Sequence, residues 1–255
     1  MTMVDAVRDG ARYDGVDGEA LAGALGLSRV VVFDEVGSTL DVAHALAAQG
    51  AAAGTLVLAD AQSAGRGRQG RSWASEPGRG IWLTLVERPA DARALEVLSL
   101  RLGLRAAPAL DAFCDQRVQL KWPNDLYVAG GKLAGILVEA RWHADRLDWI
   151  AVGFGLNVQV PDGVVGAAAL RPGTARVDVL RTLVPALRAA ARQEGPLRDD
   201  ELAAFAARDL ARGRRCTEPV KGTVRGLDAT GALLVDTATG TESVRAGSLV
   251  FAEDA

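Results

Sequence analysis

The chain has 255 residues, 49% apolar and 24% charged, which suits one large globular domain or a large plus a small one and excludes disordered, collagen-like and coiled-coil chains. Twenty-nine basic against 32 acidic side chains leave a net charge of −3. The chain as a whole is therefore not suited to nucleic acid or an anionic membrane, and any polyanion site must be local.

Cys114 and Cys216, like His44 and His143, share no motif spacing, so neither a disulfide framework nor a zinc site is suggested. The opening MTMVDAVRDGARYDG lacks the apolar core of a signal peptide, and no apolar run approaches the ~20 residues of a membrane helix. The expected location is cytoplasmic.

In chain order, a short helical pattern at Glu19 to Leu25 leads into a strand at 30–33, a helix at 40–48 that stops before Gly50, and a strand at 55–60. A Gly/Arg-rich loop over 63–80 precedes a strand at 81–86. Leu95, Leu98, Leu102, Ala106, Leu110 and Phe113 then have the spacing of a core-facing helix. Strands at 118–121, 134–140 and 147–157 and helices at 177–191 and 201–210 follow. Beyond Gly213 short alternating strands are broken by Asp228-Ala229-Thr230-Gly231 and Ala238-Thr239-Gly240-Thr241, the pattern of a small β-barrel. The reading is α+β, with a mixed, largely antiparallel sheet and helices over 1–211 and a small β unit over 212–255.

Two stretches carry chemistry. The first, Gln62 to Trp73, sets Arg66, Arg68 and Arg71 among Gly65, Gly67 and Gly70 directly after a strand. Glycines let backbone N–H groups approach a ligand and arginines offer forked donors, so an anionic ligand is implied. The same residues match the dinucleotide fingerprint GxGxxG, but they lead into Pro77-Gly78 and a strand instead of the helix that motif must open.

The second, Lys121-Trp122-Pro123-Asn124-Asp125-Leu126, puts a cation, a flat indole, a rigid turn and an amide–carboxylate pair at a strand end. Together they could hold a triphosphate, stack a base and ligate Mg²⁺; a plain turn would use the same Pro-Asn-Asp. Lys132 enters a strand after Gly130-Gly131 and needs an anionic partner if partly buried. Ser38 with Asp41 fits a capping box before the 40–48 helix, whose N-terminus also suits a polar head group. Asn157 ends the strand carrying Gly153 and Gly155, where it could donate or accept.

Ser38-Thr39, the GRGRxGRxW loop, KWPNDL, Lys132 to Leu137 and Gly153 to Asn157, in this order, resemble the biotin protein ligases (biotin–acetyl-CoA-carboxylase ligases), and the segment from 214 to 251 is similar to that family's C-terminal domain. The resemblance implies a catalytic domain like that of class II aminoacyl-tRNA synthetases plus an SH3-like barrel. It also implies ATP, biotin and Mg²⁺ as ligands. Ser38, Thr39, Gln62, Arg66, Gly67, Arg68 and Lys132 match its biotin positions. Arg68, Lys121, Trp122, Asn124, Asp125 and Asn157 are assigned to the nucleotide, Asp125 also to the metal, and Lys132, Arg66 and Lys121 to catalysis.

Leu40 stands where many members carry Asn, which leaves one hydrogen bond near the biotin head group without its usual partner. The DNA-binding domain of the repressor members has no counterpart in this sequence. The implied reaction joins biotin to AMP and passes it to a lysine of the biotin carboxyl carrier domain of acetyl-CoA carboxylase or a related carboxylase, with neither nucleic acid nor membrane as partner. The sequence sets no oligomeric state. The alternatives are lipoate or octanoate ligation on a related fold, a biotinyl-adenylate sensor, and an RNA-binding protein using the arginine loop; the acidic balance and the lack of an RNA-recognition motif count against the last.

Overall fold

The computed structural model describes residues 11–89 and 91–252. The first ten residues of the expected 1–211 unit, which hold most of the N-terminal stretch read above, lie outside the described residues, as do the last three of the second unit.

A small hairpin, β1 (Arg12–Tyr13) and β2 (Val16–Asp17), leads into α1 (Gly18–Leu25), which Asp17 caps by accepting from the Ala20 N–H at 2.8 Å. Then come β3 (Arg29–Val36), α2 (Thr39–Ala48), β4 (Thr55–Gln62), β5 (Gly80–Glu87), α3 (Leu98–Asp111), β6 (Gln119–Lys121), β7 (Asp125–Val128), β8 (Gly131–His143), β9 (Arg146–Asn157), α4 (Arg176–Ala191) and α5 (Asp199–Ala206). The strands from β3 to β9 form one seven-stranded sheet in the order β3-β4-β5-β9-β8-β7-β6; β3 and β4 run parallel and the other neighbours antiparallel.

Strand alternation gives this sheet two faces. On β4, Leu56 and Leu58 enter the larger core beneath α1, α3 and α4, while Val57 and Ala59 join Val42, Ala43, Leu46 and Ala47 of α2 in a smaller one. On β8, Ala134 and Ile136 belong to the larger core, so Gly135, Leu137 and Glu139 share the α2 face. That face carries the site.

A second sheet, β13-β12-β11-β10-β14, is antiparallel throughout and is built from β10 (Arg215–Glu218), β11 (Gly222–Leu227), β12 (Leu233–Thr237), β13 (Gly240–Val244) and β14 (Val250–Phe251). Its Cys216, Val224, Leu233, Val235 and Phe251 are continuous with the larger core, so the small β unit shares an interior with the large one.

Three elements depart from the sequence reading. The helix expected from Leu95 to Phe113 is a 3₁₀ turn at Ala92–Glu96 followed by α3. The one expected to reach Leu210 stops at Ala206, because the Arg208 carbonyl and the Leu210 N–H bond to Leu120 instead, at 2.8 and 2.9 Å, and extend the edge of β6. The four-residue β7 was not expected, since Pro-Asn-Asp reads locally as a turn.

Candidate functional site

Beside α2 lies a cavity of about 820 Å³, near the upper end of the range for small-molecule sites. Four segments far apart in sequence enclose it: the N-terminus of α2, the arginine loop, the β6–β7 turn with the facing part of β8 and β9, and the Glu218–Pro219 and Gly247–Val250 segments of the small β unit.

At the α2 end, Ser38 is the N-cap residue, with extended backbone, but its side chain makes no capping bond. The capping box expected of Ser38 and Asp41 is absent. Gln62 Oε1 accepts the first helical N–H, that of Thr39, at 2.8 Å, and Asp41 Oδ1 is 2.8 Å from Arg66 Nη1. Ser38 Oγ is consequently buried without a hydrogen-bond partner among the described residues, at the wall of the cavity. Such an atom carries a desolvation cost that a polar ligand would relieve.

Thr39 and Gln62 are locked from behind. Thr84 Oγ1 donates to Thr39 Oγ1 at 2.9 Å, Thr39 Oγ1 donates to Gln62 Oε1 at 3.1 Å, and Gln62 Nε2 donates to Ser75 Oγ at 2.9 Å. Thr84 and Ser75 escaped the sequence reading, although a hydroxyl in the middle of the apolar run 81–86 is a local signal for it.

The arginine loop is a tight hairpin: the Gly67 N–H donates to the Arg71 carbonyl at 2.7 Å and the Trp73 N–H to the Gly65 carbonyl at 2.9 Å. Gln69 turns its tip at a φ of 56°. Arg68 Nη1 donates to Asn124 Oδ1 at 3.1 Å and joins loop to turn, and burial holds this guanidinium below its usual pKa. Arg71 Nη2 reaches Ser248 Oγ of the small β unit at 2.6 Å. Arg66 is engaged by Asp41 and Glu139.

Trp73, which the sequence reading left without a role, lies over Gly135 and Gly155, directly paired neighbours on β8 and β9. A Cβ at Gly155 would stand 2.8 Å from the indole, and one at Gly135 2.9 Å, so glycine is what lets the ring settle on the sheet. Its Nε1 is buried without a partner among the described residues. Gly155→Ala is expected to lift the ring from the sheet, read as a shifted tryptophan emission with the circular dichroism unchanged.

Lys132 is held by its backbone: its N–H donates to the Gly166 carbonyl at 2.7 Å and its carbonyl accepts from Ala168 N–H at 2.9 Å. Its Nζ lies 2.8 Å from Asp125 Oδ1 and 5.1 Å from the Trp73 ring centroid, so the anionic partner expected for this lysine is Asp125. Lys121 Nζ sits over the rings of Tyr127 and Phe251, at 5.4 and 4.8 Å. Asn124 Nδ2 donates to the Ile136 carbonyl at 2.8 Å, fixing the turn to β8.

Two residues assigned to the nucleotide make contacts that hold the framework. Trp122 is in the cavity wall but only 2% exposed, and its Nε1 donates to the Gly231 carbonyl at 3.1 Å, so the indole is also a bolt between the large unit and the small one. Asn157 lies outside the cavity wall; its amide donates to the carbonyls of Lys132 and Ala168 at 3.2 and 3.1 Å and thereby holds Lys132 in place. Asp125 and Glu218 are the carboxylates of the wall, and no group of three metal-ligating side chains exists among the described residues.

An arginine hairpin, a lysine at a strand start, an unpartnered hydroxyl at a helix N-terminus and a tryptophan on a glycine floor line one cavity of small-molecule size on a mixed sheet. The model of the biotin/lipoate A/B protein ligase family matches residues 34–157, and that of the biotin protein ligase C-terminal domain residues 212–251. The biotin–[acetyl-CoA-carboxylase] ligase of Mycobacterium tuberculosis is 33% identical, over 98% of this chain and 99% of its own length. The ligase of the same name from Paracoccus denitrificans is 34% identical, over 80% and 93%.

The bifunctional ligase/repressor BirA of Bacillus spizizenii is 40% identical over 49% of this chain, and the match spans 39% of that relative. Among solved structures, the biotin protein ligase of Aquifex aeolicus in complex with biotin and ATP superposes with a TM-score of 0.68 at 26% identity, covering 86% of this chain and 97% of that one. The chain belongs to the biotin protein ligases.

Proposed function

We propose that the protein is an ATP-dependent ligase that forms biotinyl-5′-AMP and transfers the biotin to a lysine of a biotin carboxyl carrier domain, that of acetyl-CoA carboxylase or a related carboxylase. The carrying observation is the convergence of Arg68, Lys121 and Lys132 on one cavity of about 820 Å³ that also holds the unpartnered Ser38 hydroxyl.

A carboxylate is a poor electrophile, and its attack on a phosphate brings like charges together. Lys132 offsets that repulsion and stabilises the charge that builds up on the transferring phosphoryl group, and Arg68 holds the adenylate once it has formed. Ser38, Thr39, Gln62, Arg66 and Gly67 form the biotin end, Lys121, Asn124 and Asp125 the phosphate end. Trp73 borders both. The departing pyrophosphate leaves a mixed anhydride, which the arginine hairpin shields from water until the carrier lysine attacks its carbonyl and AMP leaves.

Mg²⁺ fits as an ion brought in by the nucleotide, because it is commonly held by substrate phosphates with one or two carboxylates and Asp125 lies at that end of the wall. Its chemistry would be to neutralise phosphate charge. We place the enzyme's units at 1–211 and 212–255, with the smaller closing one side of the cavity. No helix among the described residues is long and apolar enough to cross a membrane, and a reaction that consumes ATP supports the cytoplasmic reading.

Biotin-dependent exchange of labelled pyrophosphate into ATP tests this reading; exchange without biotin, or none at all, contradicts it. A variant separates making the adenylate from keeping it. Since Arg68 joins the hairpin to Asn124, Arg68→Gly should still form biotinyl-AMP but release it early, because a lost forked contact speeds dissociation more than it slows encounter. The freed anhydride would biotinylate bystander serum albumin, which the parent enzyme should scarcely label. Equal, negligible labelling by both would remove Arg68 from this role.

A further inference from the structure

Arg66 lies in the hairpin, but its guanidinium is committed elsewhere. Nη1 donates to Asp41 Oδ1 in the first turn of α2 at 2.8 Å, and Nη2 pairs with Glu139 Oε1 on β8. The other oxygen of Glu139 is 2.8 Å from His44 Nε2, and Trp149 Nε1 is 3.0 Å from His44 Nδ1. An indole N–H can only donate, so Nδ1 is the acceptor, and in the neutral ring the proton sits on Nε2 and points at Glu139. Both Glu139 oxygens are thus taken by donors.

His44 and Glu139 are mostly covered, at 10% and 21% side-chain exposure, whereas Arg66 is 38% exposed. The rigid end of the chain is therefore the sheet and helix, and the adjustable end is the loop. Register explains the placement: Glu139 opposes Ala151, and Trp149 lies two pairs further along, opposite Arg141, on the face that α2 covers.

We propose that Glu139 is the positioning residue of the arginine hairpin. Braced by His44 and Trp149 and helped by Asp41, it ties the Arg66 guanidinium to α2 and β8, which sets the first strand of the hairpin against the biotin end of the cavity and leaves Arg68 as the guanidinium that faces the reacting groups. Arg66 is then an anchor. The inference rests on the biotin-ligase reading for the identity of the ligand, but the anchoring itself does not.

The test uses the full chain and two readouts. A charge-assisted hydrogen bond of this kind is worth enough that Glu139→Gln should raise the rate of tryptic cleavage after Arg68 and Arg71 in the ligand-free protein by about tenfold. It should raise the biotin KM in pyrophosphate exchange by about as much, with kcat within about twofold, because the loop is misplaced before binding and the reacting cations are intact. In an Arg66→Met background the same substitution should change cleavage no further, a coupling that a general loss of packing would not show.

Asp41→Asn, at a more exposed position, should give a smaller effect in the same direction and serves if Glu139→Gln fails to fold. Cleavage at the parental rate in the folded variants, or an undiminished effect of Glu139→Gln in the Arg66→Met background, overturns the proposal. A parent that shows no biotin-dependent exchange would refute the ligand and leave the cleavage arm to decide the anchor.

Discussion

Lys132→Ala is expected to lower the rate of biotinyl-AMP formation by about 10²-fold or more while leaving the fold intact. The position is over-determined: neighbouring backbone groups hold its N–H and carbonyl, and the Asn157 amide holds that carbonyl a second time. Only the side chain is left to act, and its ammonium stands between the Asp125 carboxylate and the Trp73 ring. Alanine removes the cation without disturbing those backbone bonds. Single-turnover formation of the adenylate, followed by mass spectrometry, measures the effect, with circular dichroism to show that the variant is folded. A parental rate would remove Lys132 from the chemistry.

The second large effect concerns the support behind the site. Arg101 on α3 is fully buried, and Glu201 on α5 is 6% exposed. Arg101 Nε donates to Glu201 Oε1 at 2.7 Å and Nη2 to Oε2 at 3.0 Å, and the remaining donors reach the carbonyls of Gly195 and Pro196 at 3.2 and 2.8 Å. Removing one partner strands a charge in the interior, so Glu201→Ala should cost about 3–5 kcal/mol and lower the melting temperature by roughly 10 °C for a chain of this size. The stretch after α5 pairs with Leu120, next to Lys121, so the loss should also soften the strand that presents the turn between β6 and β7.

The pH dependence of this pair has a definite sign. Burial raises the Glu201 carboxyl and the hydrogen bond from Arg101 lowers it, with a net value below the ordinary range. Its stabilisation is therefore complete above the usual carboxylate pKa and is lost as the pH falls through the lowered folded value. The gap in melting temperature between parent and Glu201→Ala should narrow only on the acid side of that range. A gap that instead closed toward neutral pH would contradict the assignment.

The framework was legible wherever a short-range pattern was complete. The apolar runs of β3, β4 and β5 are buried on both faces and the periodic leucines of α3 and α4 bury one, and their segments are found within a few residues of expectation. The arginine hairpin and KWPND were legible as chemistry because clustered cations and glycines have little use in a core. What stayed hidden depends on partners far along the chain. The tie from Trp122 to the small β unit was hidden because nothing near the tryptophan reveals Gly231, which takes its N–H. Ser38 looked like a cap because Gln62, which takes the first N–H of the helix, sits on another strand. Glu139, His44 and Trp149 meet through sheet register and helix packing, neither of which the sequence around each one carries.

The cavity is proposed to activate biotin with ATP for transfer to a carrier lysine. The most direct test incubates the full chain with ATP, Mg²⁺ and either biotin or lipoate, with and without a purified biotin carboxyl carrier domain, and reads both small molecule and carrier by mass spectrometry. Biotinyl-AMP without the carrier, and one biotin on a single carrier lysine with it, is the expected result. An adenylate formed from lipoate and not from biotin, or none from either, would contradict it.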